Sequence, residues 1–110
     1  MNTISSPYIN EQGEVGVVSP TVLATGKTNQ YGSVTSINSL RFYNSSAYTI
    51  TLSKYDASQN TLLDIYEYQL SAGDTLIDTN VYQLSTNDRL EVQSSIASTN
   101  YFILGTKWFR

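Results

Sequence analysis

The chain contains no histidine and no cysteine. Without a thiol there is no disulfide, no cysteine nucleophile and no thiolate metal centre. Without an imidazole there is no Ser-His-Asp triad, no histidine-based zinc site and no ordinary histidine base. Charge is scarce as well. Only 14% of the 110 residues are Asp, Glu, Lys or Arg, against about a quarter in an average domain. Six basic residues face nine acidic ones, for a net charge of -3. Such a chain is a poor counter-ion for phosphate, so no nucleic-acid partner is expected. No apolar run approaches the roughly 18 residues of a membrane span, so no membrane partner is expected either. Met1 to Pro7 lack the basic and apolar regions of a signal peptide, which points to synthesis in a cytosol. Gly26-Lys27-Thr28 has the form of the tail of a phosphate loop, but Ser19-Pro20-Thr21 stands where its first glycine belongs. It reads as a turn.

Hydroxyl and amide side chains fill the gap left by charge: 15 Ser, 13 Thr, 9 Asn and 6 Gln. Nine Tyr accompany three Phe and one Trp. This composition suits β-structure with wet, hydrogen-bonded contacts. The length fits one domain with one core. Residues 1–13 read as an extended arm whose only apolar groups are Ile4, Pro7, Tyr8 and Ile9. That composition cannot make a core, so its order must come from contact. Residues 14–110 read as the folded domain.

From residue 14 onward turn signals come often and helical periodicity is absent. Glu14 to Val18 reads as a short strand, and Thr21 to Thr25 as a second. Tyr31 to Tyr43 is a long extended stretch in which Val34, Ile37, Leu40 and Phe42 change parity between 34 and 37, as at a β-bulge. Tyr48, Ile50 and Leu52 alternate with Thr49, Thr51 and Ser53 in a half-buried strand. Asp56 to Asn60 is a hairpin loop, and Thr61 to Leu70 the strand that follows. Shorter strands occupy Thr75 to Asp78, Val81 to Leu84, Arg89 to Ser94 and Tyr101 to Trp108. The pattern predicts an all-β fold: an antiparallel, jelly-roll-like β-sandwich of about eight strands behind an N-terminal arm. The predicted core is Val34, Ile37, Leu40, Phe42, Ile50, Leu52, Leu63, Ile65, Leu76, Leu84, Leu90, Val92, Ile103 and Leu104.

One motif occurs twice. Leu70-Ser71-Ala72-Gly73-Asp74-Thr75-Leu76 is echoed by Leu84-Ser85-Thr86-Asn87-Asp88-Arg89-Leu90. Gly and Asn best tolerate a positive φ, so each copy reads as a tight turn whose Asp accepts turn amides. The alternative is a cation held between Asp74 and Asp88. The remaining acidic residues of the second half, Asp64, Glu67, Asp78 and Glu91, alternate with apolar ones and read as a solvated face rather than a paired-acid catalytic site. No catalytic residues, cofactor site or metal site are expected, and the chain reads as a non-enzyme. Asn44-Ser45-Ser46 matches the N-glycosylation pattern and reads as a chance match. Tyr43, Tyr48, Tyr55, Tyr66, Tyr68 and Tyr82 suit half-buried strand positions, or alternatively a platform for sugar rings. Trp108 and Phe109, near the carboxyl end, either close the core or dock on a partner.

Several of these elements recur together: Val34-Thr35-Ser36-Ile37-Asn38-Ser39-Leu40, Asn44-Ser45-Ser46, Tyr48-x-Ile50-x-Leu52, the Leu70 to Leu76 turn, Asp88-Arg89-Leu90 and Tyr101-x-Ile103-x-Gly105. From Tyr31 to Gly105, about two-thirds of the chain, this pattern resembles small virion β-sandwich proteins of tailed bacteriophages. The resemblance implies a non-enzymatic structural protein of the virion, made in the host cytoplasm. Its partners would be other virion proteins, of the capsid or of the neck and tail, and it would form a homo-oligomer. Capsid decoration is the first expectation and a neck or tail connector the second. A carbohydrate-binding module is the alternative from another class. The expected assembly contacts are Ile4, Pro7, Tyr8 and Ile9 in the arm, with Trp108 and Phe109.

Overall fold

The computed structural model describes residues 8–27 and 35–106. Of the sequence-based expectations, those on Ile4, Pro7, Val34, Trp108 and Phe109 fall outside these residues. The described chain is all-β, with nine strands: β1 Tyr8–Glu14, β2 Thr21–Thr25, β3 Thr35–Tyr43, β4 Tyr48–Asp56, β5 Thr61–Leu70, β6 Thr75–Asp78, β7 Tyr82–Leu84, β8 Arg89–Ser94 and β9 Asn100–Thr106. They form two packed antiparallel sheets. The first runs β1-β9-β3, with β6 and β7 side by side along the far edge of β3; the second runs β2-β8-β4-β5. The chain is a β-sandwich.

Alternation explains which side chains meet between the sheets. Tyr48, Ile50 and Leu52 of β4 point into the same interior as Leu90 and Val92 of the neighbouring β8, and Ile37, Leu40, Phe42, Leu84 and Ile103 close it from the other sheet. Each fully buried Leu, Ile or Phe contributes about 1.5–3 kcal/mol relative to an exposed one. Bulges keep this face continuous. In β3 the register against β9 slips between Ile37 and Ser39, so Asn38 is the extra residue. Ile37 and Leu40, of opposite parity, therefore both point inward. A bulge does occur in this strand, but it lies between Ile37 and Leu40 and not between positions 34 and 37, where the parity count put it. Opposite it, Gly105 is obligatory, because a Cβ there would sit 2.3 Å from the Ser36 carbonyl oxygen.

Four expectations need correction. Residues 8–13 are not an arm: they belong to β1, which pairs along its whole length with β9, from Tyr8 opposite Thr106 to Glu14 opposite Asn100. Ile9 is accordingly a buried core residue, not an assembly contact, while Tyr8 stays exposed. Its neighbours Asn10, Gln12 and Glu14 are polar because that face of the sheet meets solvent, which is why the segment read as an arm. Glu14 to Val18 is not a strand; the chain turns there, leaving Val15 buried and Val18 exposed. Leu63, Ile65 and Leu104 are exposed rather than core, and Leu76 is only partly buried. Leu63 keeps the inward parity of Lys54 but lies at the margin of the facing sheet and is left without cover, whereas for Ile65 the cause is a second bulge. Leu52 pairs with Tyr66 and Ser53 with Asp64, so Ile65 is the extra residue and the inward parity passes to Tyr66.

Removing residues 2–12 takes away most of β1 and the Ile9 side chain. The truncated chain is expected to lose several kcal/mol of stability, or to fail to fold, in a urea titration. The contrast between two leucines tests the parity of β4 and β5. Leu52→Ala should cost about 2–5 kcal/mol, whereas Leu63→Ala should stay within about 0.5 kcal/mol of the parent.

Candidate functional site

The two copies of the repeated motif form turns as expected, with positive φ at Gly73 (80°) and Asn87 (69°). The Asp88 carboxylate accepts the Ser85 amide at 3.1 Å and reaches across to the Ala57 amide at 2.9 Å. At Asp74 it is the carbonyl that is used, accepting the Tyr48 hydroxyl at 2.6 Å. These partners lie at opposite ends of β4, a strand of nine residues, and at about 3.3 Å per residue the two turns are about 30 Å apart. Asp74 and Asp88 therefore do not share a cation. Among the described residues no three acidic side chains gather as a metal site.

The other carboxylates are held separately. Asp64 and Glu91 flank Ser53 in one row across the outer face of the second sheet. Asp64 accepts the Ser53 hydroxyl at 2.6 Å, and Glu91 pairs with Arg89 at 2.9 Å. The Arg89 guanidinium in turn lies 4.0 Å above the Tyr55 ring. Asn44, in the glycosylation-like triplet, is a buried hub. Its side-chain amide donates to the Ala97 carbonyl and the Thr99 hydroxyl, and its oxygen accepts the Ser46 amide. A nitrogen so sealed and so used is not open to glycan transfer in the folded chain.

Three of the six tyrosines considered from the sequence do converge, around a residue read there only as part of a solvated face. Asp78 is buried on the inner face of β6. Its Oδ2 accepts the Tyr66 hydroxyl from the opposite sheet and the Tyr82 hydroxyl from β7, both at 2.7 Å; its Oδ1 accepts the Asn80 amide at 2.9 Å. A carboxylate at this depth needs such donors, because ionised groups lose their hydration on burial. The Tyr68 ring leans on Tyr66, centroids 4.8 Å apart and planes 32° apart. Tyr43, Tyr48 and Tyr55 lie elsewhere. Asp78-x-Asn80-x-Tyr82 was the available sequence signal: an Asx turn followed at i+4 by a donor of the same carboxylate.

No family model matches this chain. No curated protein matches it either.

What remains is the side of the sandwich formed by β5 and β6. The Asp78 clasp closes its interior, and beside it a groove of about 260 Å³ runs past Tyr66, Tyr68, Ile77 and Asn80. On the other side of the Ile65 bulge, Leu62 is 51% and Leu63 63% exposed. Adjacent residues point to opposite faces of a strand, so neither face of that half of β5 is covered. Among the described residues β5 is also an edge strand, pairing only with β4. No described strand lies beyond it, and an edge of this kind is a template for pairing with another chain.

The clasp has a measurable titration. Burial first, and then the bond to Asp78, push the Tyr82 hydroxyl up to about 12 and hold that of Tyr66 higher still; burial also raises Tyr48. A folded value above the ordinary value near 10 means that the contribution is complete below pH 10 and is lost as pH rises through the folded value. Stability measured by urea titration should therefore fall from pH 10 to about 12 more steeply in the parent than in Tyr82→Phe. In an ultraviolet titration of the folded chain, Tyr48, Tyr66 and Tyr82 should ionise above the ordinary tyrosine value near 10.

Proposed function

We propose that this chain is a non-enzymatic structural protein of a bacteriophage virion, and within that class a capsid decoration protein. The resemblance between Tyr31 and Gly105 supports the class. The observation that carries the reading is the uncovered apolar half of β5, where Leu62, Leu63 and Ile65 stand exposed on a strand that pairs, among the described residues, with β4 alone. Exposed apolar edges are otherwise avoided because they recruit other chains. The other edges of this sandwich are blunted. β1 carries Glu11 and Glu14, β2 follows Pro20 and is bulged at Leu23, and the remaining edge is broken into β6 and β7.

The chemistry of the edge favours a different protein over a second copy. β5 holds Asp64 and Glu67 and no basic residue. Antiparallel self-pairing centred on Ile65 and Tyr66 sets Asp64 opposite Glu67, and like charges directly opposite are destabilising. A shell protein offering an apolar strand or ridge flanked by Lys or Arg is the matching partner. Formation of a homo-oligomer would then use another surface.

Mass spectrometry of purified particles should find the chain in a fixed ratio to the major shell protein. Leu63→Lys should leave the melting temperature nearly unchanged and abolish incorporation. A chain absent from particles, or a Leu63→Lys variant incorporated at full occupancy, would overturn the reading. A few copies per particle would select the neck or tail connector instead.

A further inference from the structure

We propose that the groove between β5 and β6 is a binding site for a neutral carbohydrate. The site combines three features that such ligands need. The first is an aromatic surface held in place. Tyr66 is fixed by its bond to Asp78, and Tyr68 rests against it while keeping half of its own surface open to the groove. A sugar ring presents C–H groups on one face, and a fixed aromatic ring receives them with little loss of conformational freedom. The rings are tilted by 32° rather than set at right angles. They form a stacked surface and not a cage around a cation.

The second feature is polar side chains with both donors and acceptors. Thr79 and Asn80 are exposed on the rim, and their hydroxyl and carboxamide suit the vicinal hydroxyls of a sugar. The third is the sign of the field. The groove has no Lys or Arg in its wall, and its floor holds the Asp78 carboxylate. Phosphorylated, sulfated and sialylated ligands are disfavoured there, whereas an uncharged hexose is not. The volume of about 260 Å³ accommodates a single sugar residue at an open site. This inference does not depend on the virion reading. The groove lies on the opposite side of the Ile65 bulge from the edge assigned to assembly, so each can fail alone.

The test is a nuclear magnetic resonance titration of the full isotope-labelled chain with the methyl glycosides of glucose, galactose, mannose and N-acetylglucosamine. At least one should give saturable shifts centred on the amides of Tyr68, Ile77, Thr79 and Asn80. Tyr68→Ala should weaken that glycoside about fivefold to tenfold, and Tyr68→Phe, which keeps the ring, should hold its affinity. The Phe variant also guards against misfolding as the cause of a loss. The inference is overturned if no glycoside gives saturable shifts at tens of millimolar. It is equally overturned if Tyr68→Ala binds as well as the parent, or if sialic acid or choline binds the groove more tightly than every neutral glycoside.

Discussion

A carboxylate enclosed between two apolar sheet faces has to find donors, and Asp78 finds three. One comes from its own turn, one from β7 and one from the facing sheet. That requirement organises the open side of the sandwich. It turns Tyr66 inward, ties β5 to the short strands β6 and β7, and fixes the ring on which Tyr68 rests. The donors of the clasp are two hydroxyls and a backbone amide, all neutral groups. The same carboxylate lines the neighbouring groove.

The bulge at Ile65 is the second constraint on the same strand. Without it, unbroken alternation from Tyr66 would bring Asp64 to the inner face. With it, Asp64 sits beside Ser53 on the outside and accepts its hydroxyl. The extra residue also divides β5 into two halves. One half looks toward β6 across the groove, with Tyr66 and Leu70 partly buried. The other is uncovered on both faces and bears Leu62 and Leu63.

The fold class was legible because period-two alternation and turn residues are local. Tyr48 to Leu52 and the Gly73 and Asn87 turns needed no knowledge of the rest of the chain. Strand β1 was not legible, because Asn10, Gln12 and Glu14 hide an edge strand whose only deep anchor is Ile9. The failure at Leu63 and Ile65 has a related cause. Apolar type and parity indicate that a residue can be buried, but cover comes from the facing sheet, and β5 lies at its margin. Asp78 was misread for the opposite reason. A carboxylate between apolar neighbours looks solvated until its distant donors are known, and Tyr66 lies twelve residues away on the other sheet.

On the proposed reading, the uncovered half of β5 is exposed only in the isolated chain. Hydrogen exchange read out by mass spectrometry, on the free chain and on purified particles, addresses this directly. The account predicts that residues 61–65 exchange rapidly in solution at their outward amides and become strongly protected in the particle. Equal exchange of this segment in the two states, with protection gained elsewhere, would contradict it.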